Sequence, residues 1–170
     1  MGKEKMTKLE KQWVLYDVGN SAFVMLVSTI IPIYFKNMAT ASGISAANST
    51  AYLSYAISIS TILVALLGPV CGAAADNKGF KKPLFTAFMM IGVIACAAMG
   101  IPKTWLAFLV VFVIAKVGFS GSLIFYDSML LDITDDKRMD YVSSQGYAWG
   151  YIGSCVPFVV LSLIHISEPT

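Results

Sequence analysis

Gly72-Ala73-Ala74-Ala75-Asp76-Asn77-Lys78-Gly79-Phe80-Lys81-Lys82 reads as a tight, basic, water-facing turn between two very apolar segments. Gly79 permits a positive φ that a bulkier residue resists. Asp76 is placed to cap or complement the positive start of a nearby helix. Lys81 and Lys82 stand where a membrane helix needs cytoplasmic anchors. Gly72 leaves room for a neighbouring backbone to come close. If the stretch joins two membrane spans, the rest of the chain must divide into apolar runs of about 20 residues separated by polar turns.

The composition agrees with that division. Of 170 residues, 57% are hydrophobic and 13% charged, and the mean hydropathy is +0.73. Soluble domains carry about 25% charged residues, so this chain holds about half the usual share, and its charges are clustered. The expected solvent is therefore the lipid bilayer. No basic face is interleaved with aromatics, which speaks against nucleic acid. Cys71, Cys96 and Cys155 all lie in apolar segments without CxxC or Cys/His spacing, so neither a metal site nor a disulfide framework is expected. No cofactor and no ATP-binding loop is implied. The first apolar stretch is too long for a signal-peptide core and lacks an Ala-x-Ala exit.

Working outward, residues 1–11 form a charged leader with Lys3, Lys5, Lys8 and Lys11, a short amphipathic or disordered tail. Residues 12–160 form a partial bundle. Its expected spans are 13–35, 51–75, 84–100, 105–125 and 141–161, and the fourth helix runs on through Asp127 to Ile133. A polar loop fills 37–50. In the second span Ser54, Ser58, Thr61, Ala65, Gly68 and Gly72 recur at helical spacing, a face suited to close packing. Gly146, Gly150 and Gly153 line one side of the fifth span and are expected to be packing surfaces.

Orientation follows from the basic residues. The leader, the 78–82 turn (Lys78, Lys81, Lys82) and the 134–140 turn (Lys137, Arg138) hold nine; the alternate loops hold Lys36 and Lys103. The positive-inside rule puts the N-terminus in the cytoplasm.

A few polar residues stand inside the greasy runs. Asp17, Asn20, Ser21 and Ser28 share one face of the first span. Intramembrane carboxylates are costly and usually functional. Asp17 is read either as a substrate or proton site or as a buried structural carboxylate bonded to a neighbouring helix. Lys116 lies about 11 residues into the fourth span, near the bilayer centre by the 1.5 Å rise per residue. An ammonium there costs about 2.5–3.5 kcal/mol on insertion scales, so it must pair with a carboxylate or face water. Ser120, Leu123 and Asp127 share its face. Asp132, Asp135, Asp136 and Asp140 fit no EF-hand spacing and read as a solvated loop.

Three motifs carry a family resemblance. Gly-x-x-x-Asp-x-x-Gly-x-Lys-Lys at 72–82 resembles the loop between helices 2 and 3 of major facilitator superfamily transporters. Tyr16-Asp17-Val18-Gly19-Asn20-Ser21-Ala22-Phe23 resembles the opening of helix 1 in one branch of that superfamily. Phe125-Tyr126-Asp127-Ser128-Met129-Leu130-Leu131-Asp132-Ile133 with Ser143-Ser144-Gln145-Gly146-Tyr147-Ala148-Trp149-Gly150-Tyr151-Ile152-Gly153 resembles its helix 4–5 region. The branch is related to the fungal autophagy-linked vacuolar amino-acid effluxers. Val18 and Gly19 replace the branch's frequent Trp and Ala. Asn77 and Phe80 replace arginines common in the loop, which weakens a charge network there.

The resemblance implies an all-α polytopic membrane protein, the first five transmembrane helices of a six-helix N-terminal bundle, in a bacterial inner (plasma) membrane. It implies secondary transport of a small polar solute, an amino acid among the candidates, by alternating access, with protons coupled through Asp17. Asp17, Asn20, Ser21, Lys116 and Ser120 would line the pathway. Gly72, Asp76, Gly79, Lys81 and Lys82 would form a gating loop. The partners implied are lipid, solute and further helices of the same protein. A non-transporting scaffold built on the same bundle is the alternative. An enzyme is not expected.

Residues 161–170, Leu-Ser-Leu-Ile-His-Ile-Ser-Glu-Pro-Thr, resemble the in-frame translation of a transposase adapter used in sequencing libraries. On that reading His165 has no biological role. Recovery of the same ten codons from independently amplified genomic DNA would refute it.

Overall fold

The computed structural model describes residues 5–77 and 79–167. Lys3, Lys78 and residues 168–170 lie outside the described residues, as do the side chains of Leu161, Ser162 and 164–167, His165 among them. The described chain is all-α. Its helices are α1 (Lys8–Ala41), α2 (Ala46–Ala75), α3 (Lys81–Ala98), α4 (Trp105–Ile133) and α5 (Asp136–Ser167). Among the described residues, α1 to α4 are long and apolar enough to cross a membrane. α5 is not among these four, and its first turns carry Asp136, Lys137, Arg138 and Asp140.

The helices outrun the apolar runs that announce them. α1 starts in the leader, where Thr7 and Glu10 form a reciprocal capping box. The Glu10 amide donates to Thr7 Oγ1 at 3.2 Å, and the Thr7 amide donates to Glu10 Oε2 at 2.7 Å. The described part of the leader is thus a capped helix start rather than a loose tail. The 37–50 loop shrinks to 42–45. Thr40 and Ser42 return their hydroxyls to the carbonyls of Lys36 and Met38, which keeps those polar groups satisfied while the helix continues. Gly43 turns the chain at φ +84°, and Ser45 caps α2 by accepting from the Asn48 amide at 3.2 Å.

The chain forms two compact units, residues 1–31 with 130–170, and residues 32–129; the division in α1 falls between Ile31 and Pro32. In the second unit α4 is the central helix. Phe108, Phe112, Ala115, Gly118, Ser122 and Phe125 recur every three or four residues and are buried. Phe35 stacks on Phe108 at 5.8 Å, Tyr52 on Trp105 at 5.2 Å, and Phe88 meets Phe125 at 5.8 Å. α3 crosses α4 with almost no space between backbones. A Cβ on Gly118 would lie 2.5 Å from the Gly92 nitrogen and 2.9 Å from the Phe88 carbonyl oxygen.

Large apolar side chains point outward all along α2, including Ile62, Leu66 and Val70, each more than half exposed. Such a surface is uncommon on a protein whose solvent is water. The small-residue face expected of α2 is packed in part: Gly68, where a Cβ would meet Ile124 Cδ1 at 3.6 Å, and Gly72 are half-buried. Ser54, Ser58, Thr61 and Ala65 are exposed, whereas Ser49, Leu53, Ala56 and Ser60 are buried. Leu53 and Ala56 contribute apolar area there, and Ser60 satisfies its hydroxyl on the Ala56 carbonyl at 2.7 Å, so the buried face needs no outside partner.

Candidate functional site

The first unit holds a polar contact built from α1 and α5. On α5, Val142, Gly146, Gly150 and Ser154 recur every fourth residue and are buried, so three small residues leave a shallow trough along one face. On α1, Trp13, Asp17 and Ser21 recur at the same spacing and lie along it. A Cβ on Gly146 would meet Trp13 Cζ3 at 2.7 Å and Asp17 Oδ2 at 3.4 Å. One on Gly150 would meet Ser21 Oγ at 2.7 Å and Asp17 Oδ2 at 3.0 Å. One on Gly153 would strike Val18, lying 3.2 Å from its Cβ. Contacts advance along both helices together, so α1 and α5 run parallel. The glycines thus admit a carboxylate and a hydroxyl where any side chain would displace them.

Asp17 and Ser21 are half-buried in this contact. Asp17 is nine residues beyond the start of α1, about two and a half turns in, deeper in the helix than the apolar run alone indicates. Asn20 sits off the trough; its Oδ1 is buried and has no hydrogen-bond partner among the described residues. Ser28 is exposed and donates to the Val24 carbonyl of its own helix.

Below the trough lies a charged cluster that the sequence reading passed over. Glu10 is 1% exposed. Besides the Thr7 amide, its carboxylate accepts the Thr134 hydroxyl at 2.8 Å and Arg138 Nη2 at 2.9 Å. Arg138 Nη2 also reaches the Lys5 carbonyl at 3.5 Å. Thr7-x-x-Glu10 was a legible local signal of a helix start. Its partners, more than 120 residues away in the chain, left no local trace. Asp132, Asp135, Asp136 and Asp140, around the same turn, are exposed.

The remaining site residues belong to the second unit. Lys116 is half-buried in α4 and makes no ion pair among the described residues; Ser120 lies one turn further on and is also half-buried. Gly79 adopts φ +91°. Asp76 does not stand at a helix start. It is the C-cap of α2, its amide bonded to the carbonyls of Gly72 and Ala74, and the α3 N-cap is Phe80, with no side-chain hydrogen bond. Asp76 stands four positions before Phe80, and its carboxylate is exposed at the α2 end, where the helix dipole disfavours an anion. Gly72 and Lys81 are half-buried; Lys82 is exposed.

A polar stripe packed on glycines in an all-α, lipid-facing protein narrows the class, and comparison with known proteins decides it. The family model described as "Vacuole effluxer Atg22 like" matches residues 6–139. The chain belongs to the Atg22-like vacuole effluxer family. An uncharacterized MFS-type transporter of Bacillus subtilis (strain 168), YxiO, is 46% identical over 160 residues, covering 92% of this chain and 37% of that protein. The chain therefore spans a little over a third of the length of the curated relative it matches. No solved structure matches. The major facilitator resemblance in the helix 1, helix 2–3 and helix 4–5 motifs agrees with these matches. With its outward apolar faces, the Atg22-like chain is an integral membrane protein, of a transporter family rather than an enzyme family.

Proposed function

We propose that the chain is the N-terminal part of a secondary transporter that moves a small polar solute, an amino acid in the first instance, by alternating access. The observation that carries this reading is the Asp17–Ser21 pair seated on Gly146 and Gly150. A carboxylate and a hydroxyl held without bulk around them, within an apolar helix, supply a charge that can accept a proton or hold an ammonium group. Lys116 and Ser120, on α4 in the other unit, supply a cation and a hydroxyl of their own. An unpaired ammonium this far into an apolar helix requires water or an anionic ligand, and a solute carboxylate meets that requirement.

On the same reading the N-terminus is cytoplasmic, the membrane is a bacterial inner membrane, α5 crosses it as a fifth span, and further helices complete the transporter. Gly72, Asp76, Gly79, Lys81 and Lys82 serve as a cytoplasmic gating turn. The test is uptake of radiolabelled amino acids by the whole gene product in liposomes, with and without an imposed pH gradient. Uptake is expected to depend on the gradient. Asp17→Asn is expected to remove that dependence, and Lys116→Met to lower uptake at least tenfold. Normal transport by Lys116→Met would remove Lys116 from the pathway, and an absence of solute movement by the parent would favour a scaffold.

A further inference from the structure

The trough on α5 has a property that its glycines create. Gly146, Gly150 and Ser154 are successive small residues one turn apart, and Trp13, Asp17 and Ser21 are successive occupants one turn apart. Moving α1 forward by one turn would set Trp13 on Gly150 and Asp17 beside Ser154. A smooth surface of this kind gives close approach but little axial discrimination, because one hole resembles the next. Val18 seated against Gly153, with Pro157 one turn beyond, opposes such a slide only sterically; Glu10 is placed to add a directional hold.

We infer that Glu10 is a positioning residue: its carboxylate, gripped by Thr7, Thr134 and Arg138, fixes the register of α1 on α5 and so holds Asp17 at Gly150. Glu10 and Asp17 are seven residues apart, about two turns and 10 Å along the same face of α1. The bonds to Thr134, in the turn before α5, and to Arg138, in its first turn, tie the foot of α1 to the start of α5, at 2.8 and 2.9 Å. Hydrogen bonds between charged groups are short and directional, and a slide of one turn, about 5.4 Å, breaks both. Glu10 is buried, so the lost partners would not be replaced readily by water. The register is a property of the helices alone; its consequence for transport rests on the pathway reading of Asp17.

The experiment uses the whole gene product in membranes, stripped of native cysteines and carrying Val18→Cys with Gly153→Cys. Removing the valine methyls and adding a Cβ at position 153 brings the two β-carbons into contact range for a disulfide. A second pair, Val18→Cys with Pro157→Cys, reports a one-turn slide. Each pair is combined with Glu10→Gln, Arg138→Gln and both together. Glutamine keeps the capping box intact, so Glu10→Gln removes the charge that Arg138 meets without uncapping α1. The 18–153 disulfide is expected to form in the parent, to fall at least threefold in each single variant, and to fall no further in the double variant, with the 18–157 disulfide rising. Arg138→Lys is expected to restore part of the 18–153 yield.

In liposomes, Glu10→Gln is expected to raise the half-saturating solute concentration several-fold at an unchanged amount of folded protein. Unchanged 18–153 cross-linking in both single variants, or additive losses in the double, overturns the inference. If cross-linking shifts as expected but the parent moves no solute, the register role stands and the transport reading falls. If the parent transports and neither cross-linking nor half-saturation responds to Glu10→Gln, the transport reading stands and the register role falls.

Discussion

Two helix contacts in this protein use glycine for opposite ends. Where α3 crosses α4, Gly92 and Gly118 are spent on backbone: the hydrogens of one helix rest on the main chain of the other. Where α1 lies along α5, Gly146 and Gly150 are spent on side chains: the space holds Trp13, Asp17 and Ser21. The first arrangement brings two rods together and satisfies nothing else. The second stores polar groups between an apolar helix, α1, and its neighbour α5. Small residues promote both kinds of approach in membranes, so the presence of glycine alone does not say which kind is meant; what sits opposite does.

The largest effect should come from breaking the backbone contact. Gly118→Ala places a methyl 2.5 Å from the Gly92 nitrogen, 2.8 Å from its Cα and 2.9 Å from the Phe88 carbonyl oxygen. None of these atoms belongs to a side chain that can rotate away, so the helices must separate. Overpacking a close contact typically costs about 1–3 kcal/mol, occasionally more, and this substitution belongs at the upper end. The expected result is a marked loss of folded protein, read as the monodisperse fraction of the whole gene product in detergent. No single side-chain truncation nearby is expected to restore it. Gly121→Ala differs instructively, because the atoms it meets are the ring of Phe88. Its defect should be relieved by Phe88→Leu.

Gly150→Ala comes next and sharpens the contrast. The new methyl meets Ser21 Oγ at 2.7 Å and Asp17 Oδ2 at 3.0 Å, both ends of side chains that can turn. A cost of about 1–2 kcal/mol is expected, at the lower part of the overpacking range. Ser21→Ala in the same protein should recover much of the thermal stability while leaving uptake impaired, since Asp17 is still displaced. If Ser21→Ala recovers nothing, the glycine serves the backbone here as well, and the distinction between the two contacts fails.

How much of this was legible beforehand follows the range of the signal. Apolar runs with polar breaks mark the helices because hydropathy acts over some twenty neighbouring residues, and α4 does run on to Ile133. Gly146, Gly150 and Gly153 stand out by spacing alone. That Trp13, Asp17 and Ser21 occupy them is a meeting of residues more than 125 apart in the chain, and no periodicity within either helix encodes it. Gly92 and Gly118 were passed over for a related reason: each is one of several small residues in its own helix, and what singles it out is only the residue opposite. The small face of α2 is divided. Ser54, Ser58 and Thr61 are exposed while Gly68 lies half-buried against Ile124, because small size permits close contact without choosing the neighbour, and in lipid it is the fit between helices, not apolar area, that draws them together.

The smallest effect tests whether the foot of the α1–α5 pair adds stability or chiefly geometry. Thr134→Val removes a hydroxyl that donates to Glu10 Oε1 at 2.8 Å and keeps the side-chain shape. A hydrogen bond to a charged group contributes about 1.5–3 kcal/mol. Glu10 retains the Thr7 amide and Arg138, however, and is not left unpartnered. The net loss should therefore be about 1 kcal/mol, a shift of a few degrees in the thermal transition of the detergent-solubilised protein. Glu10→Gln and Thr134→Val combined should cost less than the sum of the two, since both act on one carboxylate. Full additivity would mean that Thr134 holds the α4–α5 turn for its own sake, and the foot of the pair would then be two independent contacts rather than one clamp.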